Sequence, residues 1–214
     1  SNCVSSNTAW QNASIGPFTD CFEVVCDVTP QAAALDGILA LSQTAGTSYG
    51  SYATLVRFNT SNQIDARSGD TYSTINTVTY SPGVKYRVRT VVDVPAHKYD
   101  VFVTPEGSQE QQIVSGNSFR TEQQTVTSIA NWGTISGSSS LQVCNVTGKV
   151  VARNVPPTAV ASVTPTSGNA PLTIQCSSSG SSDSDGSIVK YEWNFGDGSA
   201  VATTASASHT YSTA

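Results

Sequence analysis

Short segments in which apolar and polar residues alternate occur along much of the chain. In residues 22–28 the apolar positions Phe22, Val24, Cys26 and Val28 are separated by single residues. A period of two is typical of a β-strand with one buried face and one exposed face. The same period recurs in four later segments, 55–59, 63–67, 86–92 and 99–104. The pattern therefore predicts a protein built from many half-buried strands.

Turn sequences separate these segments, among them TSNQ, SGDT, SPG and PEGS. Many short alternating strands with turns at regular spacing are typical of an antiparallel β-sandwich. The chain is rich in Ser, Thr, Gly and Val and poor in Leu, Lys and Glu, which disfavours long helices. We expect an all-β fold.

Charge and hydropathy exclude two classes of protein. The 214 residues include 15 acidic and 10 basic side chains, a net charge of -5. Nucleic-acid-binding proteins are normally basic, so we expect no nucleic-acid partner. No apolar run approaches the ~18 residues that cross a bilayer, so we expect no membrane insertion. The chain lacks Met and a signal-peptide pattern, and we interpret it as a processed piece of something longer.

The cysteines favour an oxidising compartment. The chain contains Cys3, Cys21, Cys26, Cys144 and Cys176, with no CxxC pair and no His at ligand spacing. That spacing argues against zinc. Low charge and Ser/Thr-rich strands suit a secreted or cell-surface protein in which disulfides persist. The alternative is a cytosolic protein with five inert thiols.

A change of composition marks a domain boundary at residues 151–159, VARNVPPTA. Two consecutive prolines favour an extended linker. The sequence therefore predicts one domain at 1–153 and a shorter one at 157–214. In the second domain, residues 158–163, 172–177 and 188–195 have the pattern of strands.

The second domain resembles the PKD family, an Ig-like β-sandwich. The resemblance lies in PLT at 171–173, SGSSDSDG at 179–186, YEWNFGDG at 191–198 and HTY at 209–211. Cys176 stands where the family usually has an apolar aromatic, and we expect it to be an inert buried thiol. The family continues past HTY into further strands, so we expect the domain to lack its last strands. Either the chain is a fragment, or its last strand is disordered, or a neighbouring chain supplies that strand.

The first domain resembles concanavalin-like (laminin-G-like) jelly-roll modules over residues 10–146. The matching phrases are GILALSQTAGTSYGSYATLVRFNTSNQIDARSGDTY, YRVRTVVDVPAHKYDVFVTPEG and FRTEQ. In such a sandwich the first and last strands are neighbours, which implies a disulfide between Cys3 and Cys144. The rival pairing is Cys3 with Cys21. Cys21 and Cys26 are five residues apart on one predicted strand and point to opposite faces, so they do not bridge each other.

The sequence offers no catalytic constellation. Its two histidines, His97 and His209, have no Gly-x-Ser-x-Gly elbow to accompany them. The nearest carboxylate pairs, Glu23/Asp27 and Glu106/Glu110, lie on a strand and in a turn without the spacing of a hydrolase site. We therefore predict that the protein is not an enzyme; a hydrolase or lyase without a recognised motif is the remaining alternative.

A stripe of polar residues predicts a ligand-binding face. Three strands place polar side chains in the same outward phase, namely Arg57 and Asn59, Asp65 and Arg67, and Arg87 and Arg89. If these strands are neighbours, their side chains form one charged face. Arginine forks and acidic or amide side chains hydrogen-bond sugar hydroxyls, and Tyr49, Tyr52, Tyr72 and Trp132 offer aromatic faces for stacking. The alternative is a solvated face with Arg–Asp pairs.

Calcium is the one cofactor that the sequence suggests. Asp183 and Asp185, in SDSDG, are candidate ligands for a structural ion, with a hydrogen-bonded turn as the alternative. Asp27 and Asp36 are a second candidate pair.

The function that we predict is non-catalytic carbohydrate binding by an extracellular accessory module, with the PKD domain as spacer and a polysaccharide as partner. The alternative is a structural subunit of a filament or surface layer. Copies of the chain, or other modules of a larger chain, would then join by strand addition.

Overall fold

The computed structural model describes residues 2–137, 139–153 and 155–213, and the fold is all-β. The chain divides into two compact units, Ser1–Arg153 and Asn154–Ala214. Each unit has its own core.

The first unit contains twelve strands. Their bounds are β1 Cys3–Ser5, β2 Gln11–Phe18, β3 Cys21–Pro30, β4 Gly37–Ser42, β5 Thr54–Phe58, β6 Gln63–Ser68, β7 Thr71–Thr79, β8 Tyr86–Asp93, β9 Lys98–Pro105, β10 Gln111–Ser118, β11 Ile129–Ser136 and β12 Leu141–Val150. Two short 3-10 turns, Tyr49–Ser51 and Thr121–Gln123, lie in the connecting loops.

These strands form two antiparallel six-stranded sheets. Sheet 1 has the order β1-β12-β3-β8-β9-β10, and sheet 2 has the order β2-β11-β4-β5-β6-β7. Among the described strands, five of the ten neighbouring pairs join strands that are distant in sequence, as in a jelly roll, so long-range pairing closes the fold. The prediction of an antiparallel jelly-roll sandwich is confirmed.

The core lies between the two sheets, where alternation places the apolar residues. Phe22, Val24, Cys26 and Val28 of β3 all lie in it, as their spacing predicts. Full burial of a side chain such as Phe22 stabilises the fold by roughly 1.5–3 kcal/mol. The sandwich therefore supplies a rigid frame for the side chains on its two outer faces.

A disulfide joins β1 to β12. Cys3 and Cys144 are register partners on these strands, and their sulfurs are bonded. This is the pairing that the jelly-roll resemblance implied. Cys21, Cys26 and Cys176 are free and buried. Burial raises the pKa of the Cys26 thiol to about 12, so that thiol stays protonated and inert at neutral pH.

The second unit contains one three-stranded antiparallel sheet. Its strands are β13 Ser162–Thr164, β14 Leu172–Ser177 and β15 Ser206–Tyr211, with β14 in the centre. Ile174, Cys176 and Ala207 form a small core, against which Trp193 and Phe195 pack.

The predicted strand at residues 188–195 is absent from the described residues. Only Trp193 pairs there, as a single bridge with Ala202. The alternation of this segment is real, but a strand also needs a hydrogen-bonding partner along its length, and residues 188–192 have none in this part of the structure.

Candidate functional site

The outer face of sheet 2 gathers most of the predicted ligand-binding residues. Arg57 of β5 lies opposite Ile38 of β4 and opposite Asp65 of β6. Cross-strand partners point to the same side of a sheet, so these three side chains share the outer face. Their sequence neighbours Leu39, Val56 and Ala66 point into the core.

Arg57 and Asp65 form a two-pronged ion pair on this face. The guanidinium donates from Nε to Asp65 Oδ1 at 2.9 Å and from Nη2 to Oδ2 at 2.7 Å. The hydrogen bonds from Arg57 to Asp65 raise the pKa of Arg57 and fix its plane. The Cζ atom of Arg57 lies 3.7 Å from the ring centroid of Tyr72, and the Cζ atom of Arg67 lies 5.4 Å from the same centroid.

Asn59 and Asp65 have structural partners that limit what they can offer a ligand. Asn59 donates to Asp65 Oδ2 at 2.8 Å, and its Oδ1 accepts the N–H groups of Ser61 and Gln63 at 2.9 and 3.0 Å. Asp65 is 8% exposed. These two residues orient Arg57. Arg67, the second arginine of the cluster, donates from Nε to the Gly69 carbonyl at 2.9 Å and lies 3.7 Å from Asp70.

An aromatic cluster lies further along the same face. Trp10 stacks on Tyr52 with ring centroids 4.0 Å apart, and Tyr49 meets Trp10 edge-on at 5.5 Å. Tyr52 is fully buried beneath them, and its hydroxyl donates to Asn12 Oδ1 at 2.6 Å. Tyr49 remains 43% exposed, so it is the accessible member of the cluster.

Apolar residues of β4 and its neighbours support this aromatic cluster from below. Ile38, Ala40 and Leu55 are buried there with Tyr52, outside the main core. The sequence indicates this second covered face, because the four consecutive residues Ile38-Leu39-Ala40-Leu41 are all apolar. A strand that is apolar on both faces must be covered on both. Tyr49 and Tyr52 were predicted to offer rings for stacking on sugars. Tyr49 is accessible, but the prediction for Tyr52 was wrong because Trp10, which the sequence analysis missed, covers its ring.

The charge of Asp36 acts on a residue of each cluster. Asp36 is exposed, at the loop before β4. Burial raises the pKa of Tyr49, and the negative charge of Asp36 adds to that shift. The same charge also raises the pKa of Arg57, by less than the hydrogen bonds to Asp65 do. We define the outer strip as Trp10, Tyr49, Asp36, Arg57, Arg67 and Tyr72. It carries aromatic surface at both ends and charged groups of both signs between.

The placement of Arg87 and Arg89 beside these residues was wrong. Both belong to β8, which lies in sheet 1 between β3 and β9. Arg89 donates to Glu110 at 2.6 and 3.0 Å and lies 3.9 Å from the ring centroid of Phe102. The chain passes to the other sheet between β7 and β8, and alternation carries no information about such a crossing.

Trp132 was also misplaced as a surface aromatic. It is 7% exposed and belongs to the core between the sheets. Trp132 lies in β11 opposite Leu41 of β4, and both point inward. The segment around it, IANWGTIS, lacks clear alternation, so the inward phase of Trp132 is not evident from the sequence.

Three of the four acidic residues considered for catalysis are held in ion pairs, and the fourth, Asp27, accepts a hydrogen bond from Asn145 at 2.8 Å. Glu23 lies 3.0 Å from Lys149 Nζ and 3.6 Å from Arg89, and Glu106 lies 3.1 Å from Lys85 Nζ. The hydrogen bond from Arg89 lowers the pKa of Glu110. These contacts stabilise the outer face of sheet 1 and its turns.

Asp183 and Asp185 form a hydrogen-bonded turn. Asp183 Oδ1 accepts the N–H groups of Asp185 and Gly186, and the Asp185 carboxylate accepts the N–H of Val155 at 3.0 and 3.2 Å. The carboxylates therefore face backbone donors. Across residues 2–137, 139–153 and 155–213, no group of three or more His, Cys, Asp or Glu side chains is arranged to hold a metal ion. The residues present do not fit a calcium site, and the calcium prediction has no support from this geometry.

Comparisons with known proteins identify the second unit. Residues 154–214 match the family model of the PKD domain. No curated protein matches the chain. Within the described residues, no helix has the length and apolar character needed to cross a membrane.

Three solved structures are similar to the chain at low identity. A sialidase has 9% identity and a TM-score of 0.46 over 69% of this chain, and the chain spans only 15% of it. A GH131 β-glucanase catalytic domain from Podospora anserina has 8% identity and a TM-score of 0.45, covering 63% of this chain and 60% of its own. Lectin II from Ulex europaeus has 12% identity and a TM-score of 0.49, covering 70% and 93%.

These values carry no conclusion about ligand or activity. The family match identifies residues 154–214, where Trp193, Phe195 and Tyr211 pack against one core and His209 contacts the rings of Phe195 and Tyr211. The chain is thus a jelly-roll sandwich followed, at residues 154–214, by a PKD domain.

Proposed function

We propose that the first unit binds a polysaccharide on the outer face of sheet 2, without catalysis. The observation that carries the proposal is the outer strip, where the exposed ring of Tyr49 and the half-buried ring of Tyr72 lie on either side of a fixed arginine and an exposed carboxylate. Aromatic rings stack on the apolar faces of sugar rings, and guanidinium and carboxylate groups hydrogen-bond hydroxyls. The strip combines both kinds of contact on one rigid sheet.

The length of the strip favours an oligosaccharide segment over a single sugar. Trp10 stacks on Tyr52, which packs over Gly133 of β11, and Tyr72 lies on β7, so the strip extends from β11 across β4, β5 and β6 to β7. Four strand spacings of about 4.8 Å amount to roughly 19 Å. Charges of both signs along this length suit the hydroxyl groups of a neutral glycan better than an acidic one.

The hydrogen bonds that Asp65 accepts support the non-catalytic part of the proposal. Glycoside hydrolysis needs two carboxyl groups free to act on the substrate. Asp65 accepts hydrogen bonds from both Arg57 and Asn59, so it serves as an anchor for Arg57. The PKD domain would act as a spacer in an extracellular protein, a location that the Cys3–Cys144 disulfide favours.

The test is the affinity of the chain for a panel of neutral polysaccharides, measured by affinity electrophoresis. Tyr49→Ala removes exposed aromatic surface, and Arg67→Ala removes a cation beside Tyr72. For the polysaccharide that binds, we expect each change to weaken binding by about tenfold or more. Arg87→Ala is the matched control, because Arg87 is an exposed arginine on the other sheet.

Binding that is equally weakened by Arg87→Ala, or unaffected by both strip variants, would overturn the assignment of the face. Incubation of the same polysaccharide with the chain should leave its viscosity unchanged. A fall in viscosity would instead establish a hydrolase or lyase.

A further inference from the structure

A short loop after β10 borders the outer strip. This loop contains the 3-10 turn Thr121–Gln123. The Gln123 side chain donates from Nε2 to the Gly50 carbonyl at 2.6 Å. Gly50 belongs to the other 3-10 turn, which carries Tyr49. The two turns are therefore fastened to each other beside the accessible ring of the strip.

The same loop also lies against the turn between β6 and β7. A Cβ atom on Gly69, in that turn, would lie 3.7 Å from Thr121 Oγ1. The backbone N–H of Gly69 donates to the carbonyl of Ser118, the last residue of β10, at 3.4 Å. Arg67 of the strip precedes Gly69 by two residues. The loop therefore reaches from the turn of Tyr49 to the neighbourhood of Arg67.

Glu122 carries a fixed carboxylate in this loop. Arg120 donates from Nη2 to Glu122 Oε1 at 3.0 Å, and its Nε lies 2.8 Å from Oε2. The hydrogen bond from Arg120 lowers the pKa of Glu122, and the positive charge of Arg67 adds to that shift, so the carboxylate is ionised at neutral pH.

The Glu122 carboxylate is also the open member of this ion pair. A carboxylate has about four acceptor positions, of which Arg120 takes two. The side chain of Arg120 is 14% exposed and that of Glu122 is 49% exposed. A ligand at this loop therefore meets the carboxylate rather than the guanidinium.

This carboxylate lies beside the residue on which a sugar would stack. Glu122 Oε1 is 3.8 Å from the position that a Cβ atom of Gly50 would occupy, and Gly50 directly follows Tyr49. The hydroxyl groups of a sugar that stacks on Tyr49 project from the edge of the sugar ring. A carboxylate there accepts hydrogen bonds from hydroxyl groups and repels a second carboxylate in their place.

We infer that Glu122 determines the specificity of the strip, because it binds the hydroxyl groups of a neutral hexose on Tyr49 and rejects a uronic acid there. This inference rests on the proposed function, since it assigns Glu122 a role in the same site. Arg120 and Gln123 are positioning residues, which hold the carboxylate and the turn of Tyr49 in place.

The experiment measures the Kd of the full chain for matched pairs of polymers by isothermal titration calorimetry. The probes are soluble mannan, galactan and mixed-linkage glucan, each in its native form and after oxidation of its primary hydroxyls to carboxylates. We expect the wild type to prefer the native form of a polymer that binds. Glu122→Gln keeps the side-chain size and an acceptor for Arg120 but removes the charge. It should weaken binding of the native form and strengthen binding of the oxidised form, which reduces the preference by about fivefold.

Glu106→Gln is the matched control. Glu106 is also an exposed carboxylate in an ion pair, 3.1 Å from Lys85 Nζ, and it follows β9 of sheet 1. Its substitution changes the net charge by the same amount, and the preference for the native form should stay as in the wild type.

Three results would overturn the inference alone, provided that Tyr49→Ala still weakens binding of the native form. They are a wild type without the preference, a Glu122→Gln variant that binds both forms more weakly to the same degree or keeps the wild-type preference, and an equal loss of preference in Glu106→Gln. Absence of binding to every polymer in both forms would overturn the proposed function together with the inference.

Discussion

At the scale of single residues, the outer face of sheet 2 depends on two glycines. Tyr52 is fully buried with its ring against Gly46 and Gly133, and its hydroxyl lies within hydrogen-bond distance of Asn12 Oδ1 and the Gly46 carbonyl. Trp10 stacks on the other side of the Tyr52 ring. Because Tyr52 has no room to move, its position fixes the aromatic end of the outer strip.

Gly133→Ala should destabilise the first unit by about 1–3 kcal/mol, the usual cost of overpacking. A Cβ at this position would lie 2.6 Å from Tyr52 Oη and 2.8 Å from a ring carbon of Tyr52. Gly137→Ala is the control, since a Cβ there meets nothing within 4 Å. Urea unfolding of the two variants measures the difference; equal free energies of unfolding would show that Tyr52 does not constrain Gly133.

The sequence predicts which side chains point outward wherever apolar and polar residues alternate. It does not predict this where the alternation is missing. The outward phase of Arg57 and Arg67 and the inward phase of Val56 and Ala66 follow directly from a period of two. Trp132 was placed outside because nothing in its segment alternates. Whether a face is then covered by a loop, as Tyr52 covers β11, depends on tertiary packing that local sequence does not encode.

At the scale of elements, the Gly196-Asp197-Gly198 turn is bound to strand β15. Asp197 accepts the N–H of Ser199 at 3.1 Å and lies 2.8 Å from Nε2 of His209, which stacks on Phe195. Hydrogen bonds from Ser199 and then from His209 lower the pKa of Asp197 from 3.8 to about 2. The ionised carboxylate thus links the turn to the strand.

This pKa gives a pH dependence with a definite sign. A carboxyl group with a lowered folded-state pKa stabilises the fold fully above its unfolded value, and the contribution is lost as pH falls through the folded value. Between pH 4 and pH 2, the PKD domain should therefore lose stability, and Asp197→Asn should lose less over that window. The amide NMR signals of β15 report this unfolding. Identical acid transitions of the wild type and the Asp197→Asn variant would contradict the role of Asp197. Asp70→Asn, in the other unit, serves as the control.

The sequence did not predict which strands pair with each other. The strands at 63–67 and 86–92 were both recognised, but β8 pairs with β3, far back in the chain, and not with the β5–β6 pair. Residues 188–195 alternate as a strand does and yet form no strand in the described structure. In both cases the missing information is the hydrogen-bonding partner, which is set by the whole fold.

At the scale of the whole molecule, the first unit has two outer faces of different character. On sheet 1, Glu23, Arg89, Glu110 and Lys149 satisfy one another in ion pairs. On sheet 2, the ion pairs Arg57–Asp65 and Arg67–Asp70 lie beside aromatic rings, of which Tyr49 is exposed. The family resemblances and the alternation together predicted the two-module architecture, but only the sheet topology shows which arginines share a face.

The most direct test of the account is NMR mapping of glycan contacts on the isotopically labelled full chain. When an oligosaccharide of the polysaccharide that binds is added, we expect chemical-shift changes in the side-chain signals of Trp10, Tyr49, Arg57 and Tyr72. The signals of Arg89 and Phe102 on sheet 1 should stay in place. Changes confined to sheet 1 or to the PKD domain would contradict the claim that the outer face of sheet 2 is the binding surface.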